Sequence, residues 1–193
     1  MPTRARERLI EAAGDLFFAE GIHAVGVERL LRESGVGRAS FYRHFASKDE
    51  LVAAMLRSYD EELRGWLRRV VADAGGDPLA MFDGLADRMA ASGFRGCASI
   101  NTMVEIADPD DPARKVAVEH KEAMLRELRR LLDAPYDADL PEQLLLLFDG
   151  ALVSSLRERS PAPARRARRI AQALLEPPMQ PGLPPTEVDP PTP

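Results

Sequence analysis

The chain has 193 residues, 45% hydrophobic and 30% charged, with 26 Lys/Arg against 31 Asp/Glu for a net charge of -5. That is room for one or two small domains with a real core, without the basic excess of a protein that coats nucleic acid indiscriminately. A single cysteine, Cys97, and scattered histidines at His23, His44 and His120 exclude an intrachain disulfide and argue against a metal site, and no cofactor is expected.

No run of about 18 apolar residues is present, so no membrane partner is expected. The opening "MPTRARERLIEAAG" mixes charges into its apolar positions, unlike a signal peptide, and a cytoplasmic location is expected. Helical periodicity then dominates the chain. Thr3 is placed as the cap of a helix with Leu9, Ala13, Leu16 and Phe17 on one face, ended by Gly21. A short helix over Val27–Ser34 stops at Gly35, a residue suited to a left-handed terminus. "GVG" turns the chain into a second short helix, Arg38–Phe45. Ser47 and Glu50 form a capping box for a long amphipathic helix carrying Val52, Met55, Tyr59, Leu63, Trp66 and Val70. "AGGDP" breaks it, with Asp77 as cap and Pro78 as first residue of the fifth helix. A sixth helix is expected over Ala98–Ala107, a seventh from "DPDDP" to Leu132, an eighth from Pro141 and a ninth over Pro163–Leu175. Residues 177–193 include eight prolines and are expected to be disordered. The fold class is therefore all-α, with about nine helices.

Between Ser34 and Lys48 there is no acid, whereas residues 1–50 as a whole hold eight Lys/Arg and eight Asp/Glu. Two short helices around a glycine turn make a helix-turn-helix, whose second helix enters the DNA major groove between rows of phosphates. A carboxylate on that face would be repelled. Arg38 is long enough for a guanine edge or a phosphate, and Ala39 and Ser40 let the helix seat closely. Arg43, one turn on, suits bidentate guanine recognition, while Tyr42, His44 and Lys48 suit phosphates. Phe41 and Phe45 are expected to pack inward. The competing reading is a surface helical hairpin with a solvated basic face.

Residues 4–51 resemble the DNA-binding domain of TetR-family repressors nearly end to end. The shared features stand at Ala12-Ala13, Leu16-Phe17, Gly21, Gly35-Val36, Phe41-Tyr42, His44-Phe45, Ser47-Lys48 and Leu51. The sequence departs from the family pattern at Leu31 and Ser34, where alanines are common. The resemblance implies a DNA-binding domain over residues 1–46 and a helical ligand-binding and dimerisation domain over 47–176. It further implies a homodimer on a palindromic double-stranded operator, released when an unidentified small-molecule effector tilts the fourth helix.

Bulky residues on the later helices are the candidates for lining an effector pocket: Trp66, Phe82, Met89, Phe94, Met103, His120, Met124 and Phe148. Each is equally read as core, and His120 as satisfied by Asn101 or a backbone carbonyl. Cys97, near the start of the sixth helix, raises the alternative of a thiol- or electrophile-sensing repressor, against an inert buried cysteine. A helical small-molecule-binding protein without DNA binding is a further alternative. The sequence shows no catalytic constellation, and an enzyme is not expected.

Overall fold

The computed structural model describes residues 3–91, 94–132 and 136–176, which form nine α-helices with no strand among the described residues. These are α1 (Thr3–Glu20), α2 (Val27–Ser34), α3 (Arg38–His44), α4 (Lys48–Asp73), α5 (Ala80–Ala90), α6 (Ala98–Glu105), α7 (Pro112–Leu131), α8 (Leu140–Glu158) and α9 (Ala162–Leu175). The proline-rich segment expected to be disordered lies outside the described residues.

The helix ends follow local chemistry. Ser47 Oγ accepts a hydrogen bond from the Glu50 amide (3.2 Å), and the Glu50 carboxylate accepts from the Ala46 amide (2.6 Å). This ties off the orphan donors where α4 begins. Asp111 does the same for α7, accepting from Ala113 N (2.7 Å) and Arg114 N (3.3 Å) ahead of Pro112. At α5 the sequence expectation is corrected. Asp77 does accept from Leu79 N (2.9 Å), but residues 77–79 form a turn and the helix begins at Ala80. Thr3 is likewise the first residue of α1 rather than its cap, and α6 ends at Glu105, short of Ala107.

Two groups of buried residues meet along α4. The first gathers Leu9, Leu16, Phe17, Leu30, Phe41 and Phe45 against Leu51–Leu56, and extends to Ala98 of α6 and Val116 of α7. The second gathers Leu63, Leu67 and Val71 with Phe82, Leu85, Met124, Leu128, Leu144 and Phe148. Tyr59 packs on both. At 26 residues, α4 is roughly 39 Å long, enough to serve both groups.

Glu105, the last residue of α6, reaches across to the loop after α1. Its carboxylate accepts from Ile22 N (2.7 Å) and His23 N (3.2 Å), and its carbonyl accepts from His23 Nε2 (3.0 Å). Arg114 holds the same helix end from α7, donating to the carbonyls of Met103 (2.6 Å) and Ile106 (2.7 Å). Gly21 stands against this carboxylate at φ 90°, a conformation favoured only for glycine.

Candidate nucleic-acid interface and effector cavity

Three features of the sequence build the α2–α3 turn. Gly35 closes α2 in the left-handed region (φ 60°), Val36 is buried to pin the turn to the core, and Gly37 leads extended into α3. Ser34, one of the departures from the usual alanines, is accommodated because its hydroxyl accepts from Val36 N (3.3 Å) inside the turn. On α3, Phe41 is 0% exposed and Phe45 lies against it with ring centroids 6.1 Å apart. With those rings inward, Arg38 and Tyr42, and Ala39 and Arg43, each four residues apart, form the outward face. Tyr42 is 50% exposed, while Ser40 and His44 are half-buried at its edges.

The charges on this face differ in freedom. Arg38 is paired with Glu28 of α2, and Arg43 has no carboxylate partner among the described residues. Lys48, expected to meet a phosphate, is half-buried in the free chain. Its ammonium turns inward and donates to the carbonyls of Ile22 (2.8 Å) and Val25 (3.1 Å), fastening the α1–α2 loop to the start of α4.

A cavity of about 680 Å³ opens between α1, α4, α5 and α8. Phe18, Tyr59, Leu63, Leu85, Phe94, Phe148 and Leu152 supply its apolar wall, with Asp15, Arg88 and Arg95 as charged groups. That volume falls within the range of small-molecule sites. Of the eight residues proposed from sequence, Phe94 and Phe148 line it. Phe82 and Met124 are fully buried in the second core group, Met89 faces a neighbouring hollow with Phe94 and Ser155, and Met103 packs at the first group. Trp66 lies under the Arg88 guanidinium, 5.0 Å from its ring centroid.

His120 is satisfied by neither Asn101 nor a backbone carbonyl. Asn101 donates to Arg95 O (3.1 Å), and His120 Nδ1 donates to the Asp60 carboxylate (2.7 Å), which also accepts from Arg64. A carboxylate can only accept, so Nδ1 carries the hydrogen. The other ring nitrogen, Nε2, is buried and makes no hydrogen bond of ordinary geometry among the described residues. The group beside it is Cys97. Burial pushes that thiol up, but His120 and the Lys121 ammonium outweigh burial and bring it down to about 7. Tyr59 is pushed above the usual phenol range, first by burial and then by the negative charge of Cys97.

Residues 9–55 match the family model of bacterial regulatory proteins, tetR family. A TetR-family transcriptional regulator from Streptomyces coelicolor is 30% identical in sequence, covers 90% of this chain and 97% of its own, and superposes with a TM-score of 0.79. The chain belongs to the TetR family. The transcriptional regulator AcuR of Cereibacter sphaeroides is 29% identical over 174 residues, 82% of this chain and 80% of its own. A regulatory protein TetR from Rhodobacter sphaeroides has 27% identity and a TM-score of 0.75, covering 88% of this chain and 97% of its own.

In TetR-family terms the protein is a transcription regulator with a helix-turn-helix DNA-binding unit. Sequence reasoning missed Tyr59 and Arg88 at the cavity, and Asp60 behind His120. Tyr59 reads as one more apolar position of α4, and Arg88 as a solvated charge. Asp60 and His120 are 60 positions apart, so no local spacing could have paired them.

Proposed function

We propose that the protein is a repressor that binds a palindromic operator as a homodimer and leaves it when a small molecule enters the cavity. The observation that carries the reading is the outward face of α3, where Arg38, Ala39, Tyr42 and Arg43 stand together, α3 contributes no acid, and Arg43 has no carboxylate partner among the described residues. Arg43 is the residue for base recognition and Tyr42 and His44 serve the phosphates. Arg38 serves them once it leaves Glu28. In this reading residues 1–46 are the DNA-binding domain and 47–176 bind ligand and dimerise.

The second subunit is supported by α8 and α9. Leu146 and Val153, seven residues apart on α8, are 73% and 52% exposed, and Gly150 between them has open space where a Cβ would stand. Ile170 and Leu174 are exposed on α9. Large apolar groups and a small residue on one helix face suit close packing against a copy of themselves.

Selection of duplexes from a random library, followed by fluorescence anisotropy, tests the reading. Palindromic sites should emerge, with binding that weakens steeply as salt rises. Arg43→Ala should lose about 1–3 kcal/mol on the selected site and relax preference at one position per half-site. Enrichment of no sequence, or of sites indifferent to Arg43→Ala, overturns the assignment.

A further inference from the structure

Cys97 is the single cysteine of the chain, and it is only 2% exposed. Its surroundings are not those of an inert core thiol. Asp60 holds His120 through Nδ1 at 2.7 Å, which leaves the lone pair of Nε2 on the side of the ring beside Cys97. His120 is 2% exposed. Lys121 places its ammonium 3.7 Å from Sγ and is held there by Asp149 at 2.6 Å. A carboxylate that orients an imidazole that faces a nucleophile is the general arrangement for activating a weak one. The thiol also stands just behind the cavity wall. Its chain neighbour Gly96 lines the cavity, as does Tyr59, whose hydroxyl interacts with the sulfur.

We propose that Cys97, with His120 as its base and Asp60 as the positioning residue behind it, is a nucleophile that captures soft carbon electrophiles entering the cavity. The ligand class is an alkene conjugated to a carbonyl. His120 Nε2 takes the thiol proton. The sulfur then bonds to the β-carbon as the C=C π bond breaks. The electron pair passes through the carbonyl to the α-carbon, which takes up the proton from His120. Nothing is lost or oxidised in the addition, so no co-reactant is needed. The charged groups facing the thiol support it: Lys121 of α7 stabilises the thiolate, Asp149 of α8 and Arg64 of α4 fix Lys121 and Asp60 respectively, and Arg88 of α5 acts on Tyr59. Because Cys97 is buried, capture is confined to compounds small enough to pass Tyr59 and Gly96. The inference rests on the cavity being the effector site, but the adduct is read without DNA.

The probe is N-ethylmaleimide, followed on the intact protein by mass spectrometry from pH 5.5 to 9.5, with Cys97→Ser as the blank. The wild-type labelling rate should level off above about pH 7. In His120→Gln it should be about tenfold slower at pH 7 and keep climbing through the ordinary thiol range near 8.5. Asp60→Asn should fall between them, and a bulky aromatic disulfide should react far more slowly than the maleimide. A wild-type profile centred on the ordinary thiol value, or no adduct while the urea-unfolded chain is labelled, overturns the proposal whether or not the variants fold. Labelling that leaves DNA binding unchanged would keep the nucleophile and remove the cavity's effector role. DNA binding lost in unlabelled protein would instead count against the repressor reading alone.

Discussion

Glu105→Ala isolates the contact between α6 and the DNA-binding unit. The carboxylate serves two backbone donors of unequal burial: Ile22 N at 2.7 Å is partly buried, and His23 N at 3.2 Å is exposed. Water replaces the second bond at little cost. The first is a charge-assisted bond worth about 1.5–3 kcal/mol, and its loss strands a donor that has no other partner among the described residues. Glu105 itself is partly exposed, which places the expected loss toward the lower end, about 2 kcal/mol. For a chain of this size, that corresponds to a fall of about 4–8 °C in Tm. Glu105→Gln retains an oxygen acceptor and should recover roughly half of the loss. Urea unfolding followed by circular dichroism is the assay. If Glu105→Ala lies within about 0.5 kcal/mol of wild type, the ordinary range of surface substitutions, the contact contributes nothing and the reasoning fails.

Gly35→Ala forces a Cβ into the left-handed region and onto the Arg8 guanidinium, so a loss of about 1–2 kcal/mol in urea unfolding is expected. A neutral or stabilising result would contradict the turn geometry. Gly84→Ala would place a methyl 2.9 Å from Trp66 Cζ2 and 3.0 Å from Val70, prising α5 from α4. It should cost about 1–3 kcal/mol and shift the emission of the single tryptophan, and unchanged fluorescence would refute the close approach. Cys97 supplies a pH prediction. Its thiol is depressed in the fold, so the unfolded chain binds the proton more tightly between about pH 7 and the ordinary thiol value. Stability from this source is fully present above the unfolded value and is lost as pH falls through about 7. The stability gap between wild type and Cys97→Ser should therefore widen from pH 6 to 9, and a flat gap would refute the depression.

Most of the architecture was legible because each helix carries its own punctuation. Gly35, Ser47, Asp111 and Pro112 mark ends by local chemistry, and α2 runs over the residues expected. The misplaced start of α5 is where two local signals competed. "DP" at residues 77–78 fits a helix start, yet "AGGDP" is glycine-rich enough to continue as turn through Leu79. The inward rings and outward basic face of α3 followed from its period. Lys48 did not, because what it bonds is a pair of carbonyls more than 20 residues earlier. The cavity was least legible of all. A methionine or phenylalanine on a helical stripe reads the same whether it faces the core or a hollow, and only packing separates Phe148 from Met124.

A short helix spans the distance between the cavity wall and the α1–α2 loop. α6 has eight residues, roughly 12 Å, with Cys97 at its start beside the cavity wall and Glu105 at its end on the α1–α2 loop. Ile22 is gripped from both sides of its backbone: Glu105 accepts from its amide, and Lys48 of α4 donates to its carbonyl. A displacement of α6 by an ångström would stretch the 2.7 Å bond beyond useful length while Lys48 kept its hold. The loop would then follow one helix or the other, and α2, which begins five residues after Ile22, would follow the loop. The turn at Gly35 joins α2 to α3 through a buried Val36, so a rigid shift of α2 would carry the outward face of α3 with it. Coupling of this kind needs no long-range strain. It needs a residue whose two backbone groups are held by different helices, as those of Ile22 are held by Glu105 of α6 and Lys48 of α4.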